Sequence, residues 1–268
     1  MPSTRALIHA PWSASKVSTA LRCPRLFHYK YVDKIKEPEV MPEARIGKAV
    51  HKALELVMMG TATIIEAKQQ VRAELPTETE QLRFDRLAES IQPFASRIAA
   101  FRRRRRVARQ LVEYSLAVRE DLSVTAFYSG DAYYRGVLDL GYLFEDDALA
   151  LLDHKTGQRI PGTSIVDQLE GYGVLAAAAF RHVRQFWFGI HWIAERAVEW
   201  STPVPPETVI DRLVPDLLDN IEAAALAVSD GPRPNPGTYC DRCPYRERCP
   251  ASKELRYEPV EYYEDDED

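Results

Sequence analysis

Two acidic residues and a lysine lie on neighbouring segments whose patterns predict a β-hairpin. Asp139 belongs to the run RGVLDLGYLF, and Asp153 and Lys155 belong to the run LALLDHK. Side chains two residues apart on a strand point the same way, so Asp153 and Lys155 share a face and His154 turns to the other. If the acidic stretch EDDA forms the turn, Asp139 comes to lie about opposite Asp153 or His154.

Carboxylates brought this close repel one another unless a cation lies between them. Hard divalent ions such as Mg²⁺ and Mn²⁺ bind carboxylate oxygens and often a backbone carbonyl as well. The hairpin therefore predicts a metal site. The alternative for Asp153 and Lys155 is a surface ion pair, because a D-x-K sequence occurs by chance in many proteins.

A third candidate ligand is His51, on a helix predicted from Ile46 to Met59 and ended by Gly60. His51 lies near the apolar side of this helix. Gly47, one turn earlier, leaves room for another backbone or a substrate to approach. Taken alone, a histidine in such a position is more often a packed or surface residue than a ligand.

All four cysteines fit one pattern, in which Cys23 stands alone and Cys240, Cys243 and Cys249 form C-x2-C-x5-C. In a reducing compartment such a group favours metal ligation or catalysis over disulfides. A CxxC turn can place two ligands on one metal, and Cys23 would complete the set and join the two ends of the chain. The spacing does not distinguish a structural Zn²⁺ from an iron–sulfur cluster.

The elements that must position these residues follow from the periodicity of apolar residues. Two short helices are predicted within Ser13–Lys30, with Cys23 at their junction, and a long helical stretch is predicted from Thr63 to Leu111. After Gln110 we expect a β-meander, made of the runs LVEYSLAV, VTAFYSG, YYRGVLDLGYLF and ALALLDHK.

Helical periodicity returns from Val166 to Phe180, is followed by the strand-like run RQFWFGIHWI, and appears again from Glu207 to Val228. After Pro232 the chain is too rich in proline for regular structure. We expect this segment to be held by whatever its cysteines bind, and the closing EYYEDDED to be an acidic, disordered tail.

The composition suits one elaborated soluble domain, with 268 residues, 46% hydrophobic, and a net charge of -5. Nucleic-acid binding would therefore have to come from local basic patches. No secretory signal and no membrane span is predicted, so we expect a cytoplasmic protein. No phosphate-binding loop of the ATPases is present, since Pro42 stands where its first glycine would be and Ala49 follows Lys48.

The order of these motifs resembles the RecB-family nucleases of the PD-(D/E)xK superfamily. The motifs are GKAVH, GVLD, DHK and QLEGY, preceded by SASKVSTALRCPRLFHYKYV, which is similar to the family opening S-x-S-x-(I/V)…CP…F-x-Y-x-Y. The resemblance covers nearly the whole chain. The cysteine distribution is similar to that of the AddB-type and CRISPR-associated RecB-like nucleases, in which the cluster is 4Fe-4S.

The resemblance implies an α/β fold with a restriction-endonuclease-like core, a mixed central sheet flanked by helices. It implies a single nuclease domain over residues 1–258, with a helical insertion at about 61–110 and an iron–sulfur segment made of Cys23 and residues 232–250. Residues 259–268 form the tail. The protein would be prokaryotic or phage-encoded.

By the same resemblance, His51, Asp139, Asp153 and the backbone carbonyl of His154 would hold catalytic Mg²⁺ or Mn²⁺. Lys155 would lie beside the attacking water and the scissile phosphate. Gln168 and Tyr172, four residues apart on one helical face, would position the lysine or contact the strand. Glu113 is either an outer carboxylate of the site or a surface residue.

The implied activity is hydrolysis of DNA from its ends, with a preference for single strands, in recombination, repair, phage DNA metabolism or CRISPR spacer processing. The partner would be a helicase, a recombinase or an integrase. An endonuclease and a non-catalytic DNA-binding subunit are the alternatives. Arg102–Arg106, with Arg97 and Arg109, could follow the DNA backbone or could form a solvated surface. The aromatic residues Phe27, Tyr29 and Tyr31 could stack on bases or pack in the core.

Overall fold

A mixed β-sheet forms the centre of the fold. The computed structural model describes residues 3–37, 41–157 and 166–253. Within these ranges the sheet has six strands in the order β2-β1-β3-β4-β5-β6. The strands are β1 (Val107–Val118), β2 (Val124–Thr125), β3 (Tyr134–Phe144), β4 (Ala148–Lys155), β5 (Gln185–Trp192) and β6 (Ala197–Trp200).

Helices cover both faces of this sheet, as predicted. They are α1 (Thr4–Ile8), α2 (Ala14–Arg22), α3 (Pro24–Phe27), α4 (Pro42–Met59), α5 (Ile64–Ala73), α6 (Glu78–Ala88), α7 (Ile91–Arg104), α8 (Val166–Ala179), α9 (Pro206–Thr208) and α10 (Val214–Ser229). A π-helical turn, His28–Val32, extends α3, and another, Val209–Leu213, joins α9 to α10. Gly60 ends α4 in the left-handed conformation, as its position predicts.

The strand pairing explains why the sheet is mixed. β1, β3 and β4 pair antiparallel in succession, which confirms three of the four runs of the predicted meander. The second run supplies β2, which lies at the edge of the sheet beside β1 and not between β1 and β3. β4 then pairs parallel with β5, and the connection passes through α8. A parallel pair needs such a crossover, because a tight turn can join only antiparallel strands.

Two apolar clusters lie on opposite sides of the sheet. One contains Trp12, Tyr134, Leu175 and Ile221, and so includes α8 and α10. The other packs α4–α7 against β3 and β4 through residues such as Leu140 and Leu152. The sheet is therefore buried on both faces in the region of β3 and β4.

The alternation of side chains along β3 changes phase at Asp139. Leu138 belongs to the cluster beneath α8, whereas Leu140 belongs to the cluster beneath α4–α7. In the register of β1 with β3, Asp139 stands opposite Glu113, whose φ of 45° is left-handed and unusual for a residue other than glycine. The regular ladder is thus interrupted where two carboxylates face each other.

Two expectations about local structure are wrong, and two elements were not predicted. The helical stretch predicted to Leu111 ends with α7 at Arg104, and β1 begins at Val107, because Val107 pairs with Phe144 of β3. Only two residues of the run VTAFYSG form a strand, and the rest turns back towards β3. The short strand β6 and the helix α1 gave no recognised signal. Long-range pairing decides these boundaries, and local propensity does not encode it.

None of the described helices is both long and apolar enough to cross a membrane.

Candidate active site

The β3–β4 hairpin opens at the two aspartates. Its ladder extends to the pair Leu140 and Leu152, so the next residues in register are Asp139 and Asp153. Instead of a further backbone bond, the backbone N–H of His154 donates to Asp139 Oδ2 over 2.8 Å. The predicted convergence of the two acidic segments is therefore present, and a side chain supplies the hydrogen bond where the strands separate.

Asp153 is buried together with its lysine neighbour. Lys155 Nζ lies 2.8 Å from Asp153 Oδ2, and only 2% of the Asp153 side chain is exposed. This oxygen accepts no aligned hydrogen bond from the residues that the structure describes. Burial raises the pKa of Asp153 to about 6, and the neighbouring charge of Asp139 adds to the shift. The surface ion pair that was the alternative is thus excluded for Asp153.

His51, on α4, lies next to the carboxylate of Asp139. Its Nδ1 lies 3.6 Å from Asp139 Oδ2. The helix comes close to the end of β4 at Gly47, where an added Cβ would lie 3.1 Å from the hydroxyl oxygen of Thr156. Gly47 therefore permits a close approach of the protein itself, which brings His51 to the hairpin.

Glu113, which the sequence offered only as an outer carboxylate of the site or a surface residue, lies beside two of the predicted ligands. Ligand atoms of His51, Glu113 and Asp139 all lie within 4.8 Å of one another, and Asp153 does not join them at that spacing. Burial is the main cause that raises the pKa of Glu113 to about 7, and the negative charge of Asp139 is the second cause. β1 departs from a regular strand at Glu113. The periodicity of the sequence therefore gave only a weak indication that this side chain belongs to the site.

Burial also raises the pKa of Asp139, against the opposing charge of His51. Three carboxylates with raised pKa values in one small region indicate a site that lacks enough positive charge. Glu113, Asp139 and His51 offer the oxygen and nitrogen donors that bind divalent cations, and Asp153 adds an oxygen without an aligned donor. The donor set therefore fits a divalent metal.

A buried histidine pair supports the strand that carries Asp153. His154 Nδ1 and His191 Nδ1 lie 3.0 Å apart across the β4–β5 ladder. The His191 ring stacks on Phe94 of α7 with centroids 4.1 Å apart. Burial lowers the pKa of His191 to about 4, so both rings are neutral near pH 7 and one N–H donates to the other nitrogen. The sequence gave no indication of His191.

The two predicted residues of α8 differ in what the structure shows. Tyr172 is buried, and its ring packs against Gly136 of β3. Gln168 lies in the first turn of α8, but its side chain is outside the described residues. Their contact with Lys155 stays a prediction.

A cavity of about 640 Å³ opens between α4 and the carboxylate group. Lys48 and Lys52 of α4 line it beside His51, Glu113 and Asp139. The site is thus reachable from solvent, and cations line the approach to the acidic centre.

The four cysteines line one common pocket and form no disulfide. Burial raises the pKa of the Cys243 thiol, and the neighbouring cysteines add to this shift. Although all four are described, no three of their sulfur atoms lie within 4.8 Å of one another. The small apolar cluster of Cys23, Leu26 and Tyr245 packs beside them. The pocket joins the two ends of the chain, as the sequence predicts.

The aromatic residues and two of the arginines that were considered as DNA contacts have partners within the protein. Phe27 is fully buried against Trp12, so it cannot stack on a base. Tyr29 packs on Tyr245, and Tyr31 packs on Phe27. In the arginine run, Arg105 pairs with Asp146 and Arg106 with Glu145, which neutralises part of the charge proposed to follow DNA.

Comparison with known proteins supplies one strong match. The family model described as "PD-(D/E)XK nuclease superfamily" matches residues 11–250. A solved structure described as "Crystal structure of SSO0001" is 14% identical, with 88% of this chain and 85% of that chain covered, at a TM-score of 0.37. That similarity is too low to carry an argument. No curated protein matches the chain.

Proposed function

Because the chain belongs to the PD-(D/E)XK nuclease superfamily, we propose that it is a metal-dependent deoxyribonuclease that hydrolyses DNA from its ends. The observation that carries this proposal is the buried pair Asp153 and Lys155 beside Asp139, at the place where β3 and β4 separate. A complete set of acidic and basic groups argues against a subunit that only binds DNA.

We place one or two Mg²⁺ or Mn²⁺ ions among His51, Asp139 and Asp153, with the backbone carbonyl of His154 as a further ligand. We add Glu113 to this set, because ligand atoms of Glu113, Asp139 and His51 lie within 4.8 Å of one another. When bound, such an ion lowers the pKa of a coordinated water and stabilises charge on the phosphoryl oxygens.

The residues of the chain perform the remaining tasks. Lys155, held by Asp153 on one side and partly exposed on the other, orients the attacking water and donates to an oxygen of the scissile phosphate. Asp139 is held in place by the backbone of His154. Tyr172 and Gln168 of α8 position Lys155 or contact the DNA strand.

Linear and circular DNA distinguish an exonuclease from an endonuclease, because an exonuclease cannot cut a closed circle. We expect linear single-stranded DNA to be degraded in Mg²⁺ or Mn²⁺ and closed circular single strands of the same sequence to be spared. Cleavage of the circles would instead identify an endonuclease. Absence of any cleavage of either substrate by the metal-loaded protein would refute a nuclease function.

For the four cysteines we propose a 4Fe-4S cluster, in line with a RecB-like nuclease of the AddB or CRISPR-associated kind. The proposal rests on the resemblance and on the one pocket that all four cysteines line. Zn²⁺ bound by four thiolates is the alternative for the same residues. Anaerobic purification and metal analysis decide the matter: a brown protein with iron supports the cluster, and colourless protein with zinc overturns it.

The cluster would act as a structural staple within a single nuclease domain of residues 1–258, in which the helices α5–α7 form the insertion predicted at about 61–110 and end at Arg104. Binding free energy from the metal would fold the proline-rich segment, which has little core of its own. We further propose a cytoplasmic protein that works with a helicase, a recombinase or an integrase, since the sequence contains no ATP motor.

A further inference from the structure

One face of the β1–β3 pair is open and leads away from the carboxylate group. Tyr134 and Leu138 lie in the cluster beneath α8, and a Cβ added at Gly136 would meet Tyr172 and Leu175 of that helix. Because side chains alternate along a strand, Arg135 and Val137 face the other way, as Asp139 does towards His51.

This face is exposed only in part. Ser115 of β1, which pairs with Val137, is exposed, and Val137 and Arg135 are half-buried, whereas Ala117, which pairs with Arg135, is buried. Arg135 lies four residue positions before Asp139, a distance of about 13 Å along β3. A short stretch of a polymer that enters the active site can therefore span from Asp139 to Arg135.

An aromatic and basic platform stands at the far end of this face. It consists of Phe127 and Tyr128, in the loop between β2 and β3, and of Arg135. Tyr128 is 88% exposed, and its ring lies edge-on to Phe127 with centroids 5.0 Å apart. The Arg135 guanidinium lies 5.0 Å from the Phe127 ring and 6.0 Å from the Tyr128 ring, and it donates to the Phe127 carbonyl. The loop is thus tied to β3 with one aromatic ring held in solvent.

The platform carries positive charge that no described acidic residue neutralises. Asp131, the acidic residue of the same loop, is paired with Arg119 and accepts from Thr125. Among the described residues, Arg135 donates to the Phe127 carbonyl and Lys16 donates to the carbonyls of His9 and Pro11, so the hydrogen bonds of both cations go to neutral groups. Burial, and then the nearby charge of Arg135, lowers the pKa of Lys16 to about 8.

We infer that Tyr128 and Arg135 form a subsite for single-stranded DNA, in which an unpaired base stacks on Tyr128 and Arg135 binds the adjoining phosphate. The inference rests on the proposed nuclease function and adds the residues that bind the single strand and its direction of approach. An exposed ring offers a stacking surface to any base, and a paired base within a duplex cannot reach it. Double-stranded DNA would contact the charged Arg135 but would not stack on Tyr128.

Binding of fluorescein-labelled oligothymidine to the full chain in EDTA, followed by anisotropy, tests the subsite without cleavage. We expect Tyr128→Ala to weaken binding about tenfold, which is the usual loss for one stacked base. Tyr128→Phe retains the ring and should bind as the wild type does. Ile210→Ala, which removes another exposed apolar side chain (62% exposed) on the α9–α10 turn, is the control and should change nothing.

An abasic strand of the same length separates stacking from charge. Tyr128→Ala should leave its affinity unchanged, whereas Arg135→Gln should weaken oligothymidine and abasic strand alike and should reduce the dependence of binding on salt. The subsite is refuted if Tyr128→Ala binds oligothymidine as tightly as the wild type. It is refuted equally if the loss on the abasic strand is as large as on oligothymidine.

Cleavage assays in Mg²⁺ separate this inference from the proposed function. A wild-type protein that cuts single strands, with a Tyr128→Ala variant of unchanged KM, would overturn the subsite and leave the nuclease intact. A wild-type protein that cuts no DNA would overturn the nuclease, while the binding measurements in EDTA still decide the subsite.

Discussion

Asp139 Oδ2 accepts a hydrogen bond of 2.8 Å from the backbone N–H of His154, one residue past the point where Asp153 leaves the β3–β4 ladder. The carboxylate thereby takes the place of a strand carbonyl. The two strands can separate at this point without leaving the N–H of His154 unpaired. The opening brings two acidic side chains and a lysine to one place.

Lys155→Ala and Asp153→Asn should each lower the rate of DNA cleavage by at least about 100-fold, because both remove groups that stabilise the transition state. The fold should remain, as measured by circular dichroism. Lys30→Ala, which removes an exposed ion pair with Glu37, is the control and should cleave normally. Retention of full activity by Lys155→Ala would contradict the assignment.

In the protein freed of metal, the stability contributed by Asp153 and Glu113 should fall as the pH rises. The pKa values of Asp153 and Glu113 are raised by burial to about 6 and about 7. A carboxyl group with a raised pKa contributes stability that is complete below its ordinary pKa near 4 and lost as the pH rises through the raised value. Because the buried histidines act in the opposite direction over this range, the effect of Asp153 is measured in EDTA between about pH 4 and pH 7 as the difference in melting temperature between the wild type and Asp153→Asn.

Addition of Mn²⁺ should restore stability at the upper end of that range, since the cation binds the ionised form. Asp153→Asn, which removes one of the repelling charges, should show a smaller fall in EDTA. An Asp153→Asn curve that runs parallel to the wild type would mean that this carboxylate does not cause the effect.

Glu113→Gln should weaken the binding of Mn²⁺ about 10- to 100-fold, the range found when a group that supports a metal site is lost. The amide keeps the size of the side chain and the backbone conformation of Glu113, so stability in EDTA should not decrease. Isothermal titration measures the affinity. Glu55→Gln alters a carboxylate of the same cavity that pairs with Lys52, and it should bind Mn²⁺ as the wild type does.

His191→Phe should lower the free energy of unfolding by about 1–3 kcal/mol at pH 7, because it leaves the buried Nδ1 of His154 without its partner. Urea denaturation measures this loss. Burial and then the charge of Arg97 hold the pKa of His191 down at about 4. A base with a lowered pKa contributes stability that is present above its ordinary pKa of 6.5 and lost as the pH falls through about 4.

The variant should therefore lose less stability than the wild type when the pH is lowered from about 6.5 to about 4. Some loss should remain, because the buried His154 also has a lowered pKa. An identical acid dependence in both proteins would show that His191 does not titrate in this range.

Cys240→Ala should release the metal bound by the cysteine pocket and lower the melting temperature, since that metal would hold the C-terminal segment to Cys23. Metal content and thermal unfolding are the measurements. Asp241→Asn, which affects an exposed ion pair with Arg246 on the same turn, is the control. Full metal content and unchanged melting in Cys240→Ala would rule out the staple.

The sequence by itself determined the elements and residue types that depend on local pattern. The alternation in RGVLDLGYLF and LALLDHK predicted the hairpin, and the three- and four-residue spacing after Ile46 predicted the helix that carries His51. The order of these motifs also indicated the superfamily that the match over residues 11–250 shows.

Only the tertiary structure decided which of these groups meet. Glu113 comes to His51 because β1 departs from its regular conformation opposite Asp139, and His191 comes to His154 through a parallel pairing with a strand 37 residues away. The change of phase at Asp139 places Asp139 and Leu140 on the same side of β3, towards α4–α7. These relationships depend on contacts between distant segments, and local propensity does not contain them.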